Sequence, residues 1–359
     1  MNTRMRLHSH AHLKAETIYK TKVITMKKHL LPQKGNFYKA NMHCHSNWSD
    51  GTYSPAELKK LYKEQGYSVL AITDHEGLFY HSELDDENFL TIPSCEYEFN
   101  EKHGEDFDNW IVCHLCVYKK DKSDIYQIGV DHDYFHPKFT WMSTPEMKKL
   151  IKSKGEILIK DHTPEAINTA IKRLREDGFV VTYNHPHWSR ENYPIYSKYT
   201  GMNNLEIFNT GCYIAGHDDN NGDIYDDLLL LGEKPFCVAA DDNHSGSDMF
   251  GGFIMLAAES LTYENIMSAF ENGEFYSSRG PLLSEIFFED GKFTIKSSTP
   301  LKTVRFHTGR RHVGAVNGEE LYEASFMVQD DDKYVRAEAI DKDGKIAYTQ
   351  AYFIDDMKN

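Results

Sequence analysis

Histidines and carboxylates recur along this chain at short, ordered intervals: His43-x-His45, Asp50, Asp74-His75, Glu96, His114, His185-Pro186-His187 and Asp242-Asn243-His244. Imidazole nitrogens and carboxylate oxygens together suit borderline-hard divalent ions such as Zn²⁺, Mn²⁺ or Fe²⁺. Such ions turn bound water into a nucleophile near neutral pH, so the chemistry to expect is metal-assisted hydrolysis. Each signal alone is weak. A His-x-His pair can be a surface or core pair, and a lone His114 among apolar neighbours can be a satisfied core histidine. Their weight comes from their order along the chain, which scattering 19 histidines at random would not produce. Cys113 and Cys116 form a C-x-x-C, but no second one exists. On a strand the two would face opposite sides, so they read as buried structural thiols.

To act together these groups must sit at the ends of successive strands. The pattern predicts strands at Tyr38–His45, Val69–Asp74, Phe89–Glu96, Trp110–Tyr118, Phe179–His185, Leu205–Asn209, Phe236–Asp241 and Gly252–Ala257. Helix entries fall between several of them: Ser54-Pro55-Ala56-Glu57, Thr144-Pro145-Glu146, Thr163-Pro164-Glu165 and Thr262-Tyr263-Glu264 each offer a hydroxyl cap and an early acid. Alternation of strand and helix argues for an α/β domain with a mainly parallel sheet, whose strand ends converge on one mouth. After Gly280-Pro281 the helical signals stop and short strands with Asp-Gly turns follow, the mark of a small β-domain. The expected organisation is a basic N-terminal tail over 1–36, a metallohydrolase domain over 37–280 with an insertion at about 119–162, and a C-terminal β-domain over 281–359. Met26 offers a second start, so residues 1–25 read as a loose extension, and the alternating His8, His10 and His12 there read as a solvated tract.

Composition narrows the partners. Acidic residues outnumber basic ones and leave a formal charge of −15 over 359 residues, which disfavours nucleic acid as the main partner. No apolar run approaches the ~18 residues of a membrane helix, so no membrane partner is expected. Six cysteines are too sparse for a disulfide framework and suit a reducing, cytoplasmic setting.

The ordered series His43-x-His45, Asp50-Gly51, Thr73-Asp74-His75, Glu96, His114, His185-Pro186 and Asp242-x-His244 resembles the PHP family, the polymerase and histidinol phosphatase superfamily of metal-dependent phosphoesterases. The likeness spans about residues 37–280. Glu274-Phe275-Tyr276-Ser277-Ser278-Arg279-Gly280-Pro281, followed by a β-rich tail, resembles the branch that includes carbaryl hydrolases. The fold so implied is α/β: a distorted seven-stranded (β/α) barrel followed by a small all-β, sandwich-like C-terminal domain, with two or three divalent metal ions (Zn, Mn or Fe) at the strand ends. The resemblance implies that His43, His45, Glu96 and Asp242 surround one ion. Glu96 would bridge to a second ion held by His114 and His185, and Asp50, His75 and His244 would hold a third. Asp242 and His244 are the implied catalytic residues together with His187, which would replace His185 as ligand or touch substrate. Asp74 and Asp241 adjoin ligands and are expected to orient them. Arg190 and Arg279, with Lys160 or Lys138, are the candidates for binding phosphate.

The implied activity is hydrolysis of a small-molecule phosphomonoester, of nucleotide or sugar-phosphate type, by a hydroxide bridging two ions. Two alternatives stay open: a carbamate or carboxylic-ester hydrolase on the same cluster, and a non-catalytic module that keeps its metals for stability. The oligomeric state is not legible in the sequence.

Overall fold

The computed structural model describes residues 27–32, 35–101, 109–130, 149–218 and 220–357. The His8/His10/His12 tract, Lys138 and the expected helix start at Thr144 lie outside the described residues. The N-terminal half contains β1 (Lys28–His29), β2 (Asn36–Asn41), α1 (Pro55–Glu64), β3 (Val69–Ile72), β4 (Leu90–Glu101), β5 (Ile111–Lys119), β6 (Gln127–Ile128) and β7 (Ser153–Lys154). There follow α2 (Pro164–Glu176), β8 (Phe179–Tyr183), α3 (Tyr193–Tyr196), β9 (Asn204–Asn209), α4 (Thr210–Ile214), α5 (Gly222–Leu231), β10 (Phe236–Ala240), β11 (Phe253–Ala258), α6 (Tyr263–Glu271) and β12 (Phe275–Ser278). The C-terminal part contributes β13 (Leu283–Glu289), β14 (Lys292–His307), β15 (Gly314–Met327), β16 (Tyr334–Ile340), β17 (Ile346–Tyr348), β18 (Tyr352–Phe353) and α7 (Ile354–Met357).

Local chemistry sets the helix starts. Ser54 and Glu57 close a reciprocal capping box at α1, and the hydroxyls of Thr163 and Thr262 accept from the first turns of α2 and α6. Their buried faces pack on the sheet through Leu58 and Tyr62 of α1, and through Ile167, Ile171 and Leu174 of α2. No helix among the described residues is long and apolar enough to cross a membrane.

The main sheet runs β1-β13-β14-β16-β17-β12-β11-β2-β3-β4-β5-β8-β9-β10. It is mixed rather than mainly parallel. β2-β3-β4 and β8-β9-β10 are parallel, but β5 is antiparallel to both β4 and β8. The reason is the connection between β4 and β5, residues 102–110, which is shorter than the dozen or so residues that a parallel crossover needs. Beyond β10 the chain returns to the end of β2: Asp242 N–H donates to the His43 carbonyl at 2.9 Å, His45 N–H donates to the Asn243 carbonyl at 3.2 Å, and Cys44 bridges Asn243 in parallel. Strand ends that carry histidines are thereby brought together.

In the C-terminal part, β14 changes partners along its length. Its first half pairs β13, its second half pairs β16, and β15 runs beside both. These strands enclose their own apolar core, including Ile286, Phe293, Ile295, Val304, Phe306 and Ala337, yet they remain continuous with the rest of the sheet through β17 and β12. The strands are longer than the expected short ones, because β14 and β15 form one extended hairpin.

Candidate metal centre

At β2, β3, β8 and β10 regular strand geometry stops just short of the polar groups, whereas Glu96, expected to end its strand, lies within β4, and His114 lies within β5. β8 ends at Tyr183 and β10 at Ala240, and the residues that follow take left-handed backbone: His185 has φ 23° and Asp242 φ 52°. Non-glycine residues occupy that region only when the surroundings compensate for its strain, and such strain gathers at functional sites. Gly51 shows how closely the first loop is folded. A β-carbon there would sit 2.2 Å from the His45 carbonyl oxygen.

Four groups of donor atoms converge: His43, His45, Glu96 and Asp242; Glu96, His114 and His185; His45, Asp50, His75 and His244; and His43, His185 and Glu206. Glu96 is shared by the first two, as the sequence reading expects, and His45 stands between the first and third. His43 Nε2 lies 3.3 Å from Glu96 Oε1, 3.1 Å from Asp242 Oδ1 and 3.1 Å from His45 Nε2. Glu96 Oε1 is also 3.1 Å from His114 Nδ1 and 3.4 Å from His185 Nε2. At the mouth His244 Nε2 is 3.2 Å from Asp50 Oδ2, while its Nδ1 faces the Asp242 carbonyl at 3.0 Å. Most of the set is buried. Asp50 and His244, at the mouth, are the open members, with 30% and 39% of their side chains exposed.

The electrostatics call for a cation. Burial alone would raise the Glu96 carboxyl, but His43, His114 and His75 outweigh it and hold it well below the usual range. Asp242 is likewise lowered against burial, by His43, His45, His244 and His185. Burial opposes a charge on His43 and His45, yet the facing carboxylates raise both, and His75 is raised to about 9 by Asp50 and Glu96 against the same burial. The facing carboxylates thus favour positive charge at the centre. A divalent ion supplies that charge through lone pairs. Two observations fit one. A neutral His43 that donates from Nδ1 to Glu206 Oε1, 2.9 Å away, presents the lone pair of Nε2 to the centre. His114 Nε2 is buried with no hydrogen-bond partner.

Three acids and an amide escaped the sequence reading. Glu206, inside the apolar run Leu205–Phe208, holds His43 and also accepts from the His185 backbone N–H and Asn209 Nδ2. Glu98 Oε1 is 2.8 Å from His75 Nδ1. Asp248 accepts from the backbone N–H of His244. Asn184 donates to Glu96 Oε1 and to Cys116 Sγ. A signal existed for the two glutamates, since an acid within a buried strand needs a partner.

Other expected residues fall elsewhere. His187 does not join the cluster. The chain turns sharply after His185 (Ser189 N–H to the His185 carbonyl, 3.1 Å), and His187 Nδ1 meets the Asp218 carbonyl in a neighbouring cleft. Arg190 is exposed and is not among the residues lining the metal cleft. Arg279 lies over the rings of Phe208 and Tyr213, and Lys160 pairs with Glu76 at 2.7 Å, so neither faces the cluster. Among the described residues Asp74 and Asp241 fix loops and touch no imidazole directly, and Asp74 reaches His45 through Ser49, whose hydroxyl is 3.3 Å from His45 Nδ1. Asp74 accepts from Ser46 and Ser49, while Asp241 accepts from Tyr62, Thr210 and the backbone N–H groups of Phe250, Gly251 and Gly252. Cys113 and Cys116 are buried in different apolar cores.

No protein-family profile matches the chain. A curated relative, a 5′-3′ exoribonuclease of Haemophilus influenzae, is 29% identical over 129 residues, which are 36% of this chain. The chain spans 40% of that relative's length. Among solved structures it is similar to a two-domain protein from Bacteroides vulgatus containing a predicted PHP-like metal-dependent phosphoesterase, at 12% identity and a TM-score of 0.42, over 90% of this chain and 98% of that one. It is also similar to a lesion-specific endonuclease from Pyrococcus furiosus, at 13% identity and a TM-score of 0.41, over 66% of this chain and 56% of that one. In its ligand series the chain resembles the PHP-like metal-dependent phosphoesterases.

Proposed function

We propose that the chain is a metal-dependent phosphoesterase that hydrolyses a small phosphomonoester in the cleft above the donor cluster. The observation that carries this is the sharing of donors between neighbouring groups, Glu96 by two and His45 by two, an arrangement suited to several ions side by side. His43, His45, Glu96 and Asp242 would hold one divalent ion, Glu96, His114 and His185 a second, and Asp50, His75 and His244 a third. Zn, Mn or Fe all accept this donor chemistry. Such ions, when bound, acidify water and neutralise phosphoryl charge.

The chain's own residues do the rest. Glu206 and Glu98 fix two imidazoles, and Asn184 orients the shared carboxylate. His244, the imidazole open to solvent, closes the mouth of the site, held between Asp50 and the Asp242 carbonyl. The cleft has a volume of about 340 Å³, room for a phosphoryl group and a small organic part. The finer fold reading belongs to the same proposal: a distorted seven-stranded barrel over 37–280 and a sandwich-like unit over 281–359. The contacts that return the end of β10 to β2 and the separate core around β14 support it.

A second reading, a carbamate or carboxylic-ester hydrolase, is favoured by one observation. Among the described residues no lysine or arginine lines the cleft to balance a dianionic group. Purified protein loaded with Mn²⁺, Zn²⁺ or Fe²⁺ is assayed on a phosphomonoester, a phosphodiester and an aryl carbamate. Turnover of the phosphomonoester, lost in His43→Ala, is expected. Cleavage of the carbamate with intact phosphoesters overturns the first reading in favour of the second, and silence on all three favours a binding module.

A further inference from the structure

The metal cleft has two unlike walls. One is the donor set, and the other is built by Trp188, Gly211, Cys212 and Ala215. Both walls are held in fixed relation. The Trp188 ring stands edge-on to His185, with centroids 5.0 Å apart at 81°, and lies 5.6 Å from the ring of His114. The first turn of α4 is pressed against the ligand loop so closely that a β-carbon on Gly211 would come 2.7 Å from the Asp242 carbonyl oxygen. Beyond the cleft α4 extends the apolar surface with Tyr213 and Ile214, each about half exposed, and Tyr213 is backed by Phe208 and by the Arg279 guanidinium over both rings.

We propose that this wall is a subsite for a planar, uncharged ring carried by the substrate, so that aryl or heteroaryl esters are preferred over esters of sugars and other polyols. The inference deepens the phosphoester reading and rests on it. A polyol laid against Trp188, Cys212 and Ala215 gives up hydrogen bonds to water without replacement, which is unfavourable. A ring gives up only apolar hydration and gains an aromatic contact. The ligands themselves stay available for the reacting group, because the two walls share no residue.

Calorimetric titration of the Mn²⁺-loaded protein with phenylphosphonate and methylphosphonate reads the subsite without turnover. Phenylphosphonate is expected to bind about tenfold more tightly than methylphosphonate, the size of one well-placed aromatic contact with its buried area. Trp188→Ala should bring that ratio close to one, and Trp188→Phe should keep most of it. Ala215→Glu, at an exposed position where folding is not at stake, should also erase the preference. Equal binding of the two probes by the native chain, or a ratio that survives both Trp188→Ala and Ala215→Glu, overturns the subsite alone. Failure of both phosphonates to bind overturns the phosphoester reading and the subsite with it.

Discussion

In the donor cluster six imidazoles and four carboxylates converge with no lysine or arginine among them, whereas at the junction of α5 and β16 two carboxylates and one imidazole close around Arg336. Arg336 is fully buried. Its Nε and Nη2 donate to the two oxygens of Asp226, both at 2.7 Å, and its Nη1 donates to Glu338 at 2.9 Å, with His307 Nδ1 3.4 Å from Asp226. The residue types overlap, but one cluster carries its cation as a side chain and the other must take one from solution. The first is a clamp between the two parts of the chain; the second has the makings of a reactive site. A buried charge set is therefore better judged by whether it closes on itself than by how many acids and histidines it holds.

Removing a donor from each cluster separates the two roles. The largest effect is expected for His43→Ala, which should lower hydrolysis by at least about a hundredfold and reduce bound metal, measured by turnover and elemental analysis, with the fold retained by circular dichroism. Arg336→Ala should do the opposite. It leaves Asp226 and Glu338 without their cation and should cost about 3–5 kcal/mol in denaturant unfolding, while turnover per bound metal stays unchanged. A large loss of metal in Arg336→Ala would break the contrast.

Glu206→Gln sharpens it further. The amide keeps the shape but weakens the hold on His43, so metal affinity should fall about 10–100-fold in competition with a chelator while thermal stability hardly moves. The smallest effect is on pH. Burial pushes the Glu338 carboxyl up, but the nearby His307 imidazole and the Arg336 charge outweigh it and hold it down to about 2, against a usual 4.5. Its contribution to stability is thus complete above pH 4.5 and lost as pH falls through about 2. Unfolding monitored from pH 5 to 2 should show this decline in the native chain and a shallower one in Glu338→Gln.

What could be read in advance followed from local rules. His43, His45, His75, Glu96 and Asp242 stood out because polar residues at the ends of apolar strands have few other reasons to be there, and Ser54 and Thr163 announced their helices through caps. What could not be read depended on the path of the chain between elements. Glu206 and Glu98 went unnoticed inside apolar strands, because their partners His43 and His75 are supplied only by folding. His187 is two residues from a ligand, yet the turn after His185 sends it to another cleft. The direction of β5 was set by the short link from β4 rather than by any residue within the strand.

The central claim is that the strand-end donors hold several ions through shared side chains. Elemental analysis of the native chain after equilibration with Mn²⁺ or Zn²⁺ and gel filtration, beside Glu96→Ala, tests it directly. The account predicts two to three ions per native chain and a loss of more than one in Glu96→Ala, since that carboxylate belongs to two donor groups. Fewer than one ion per native chain, or an unchanged content in Glu96→Ala, would contradict it.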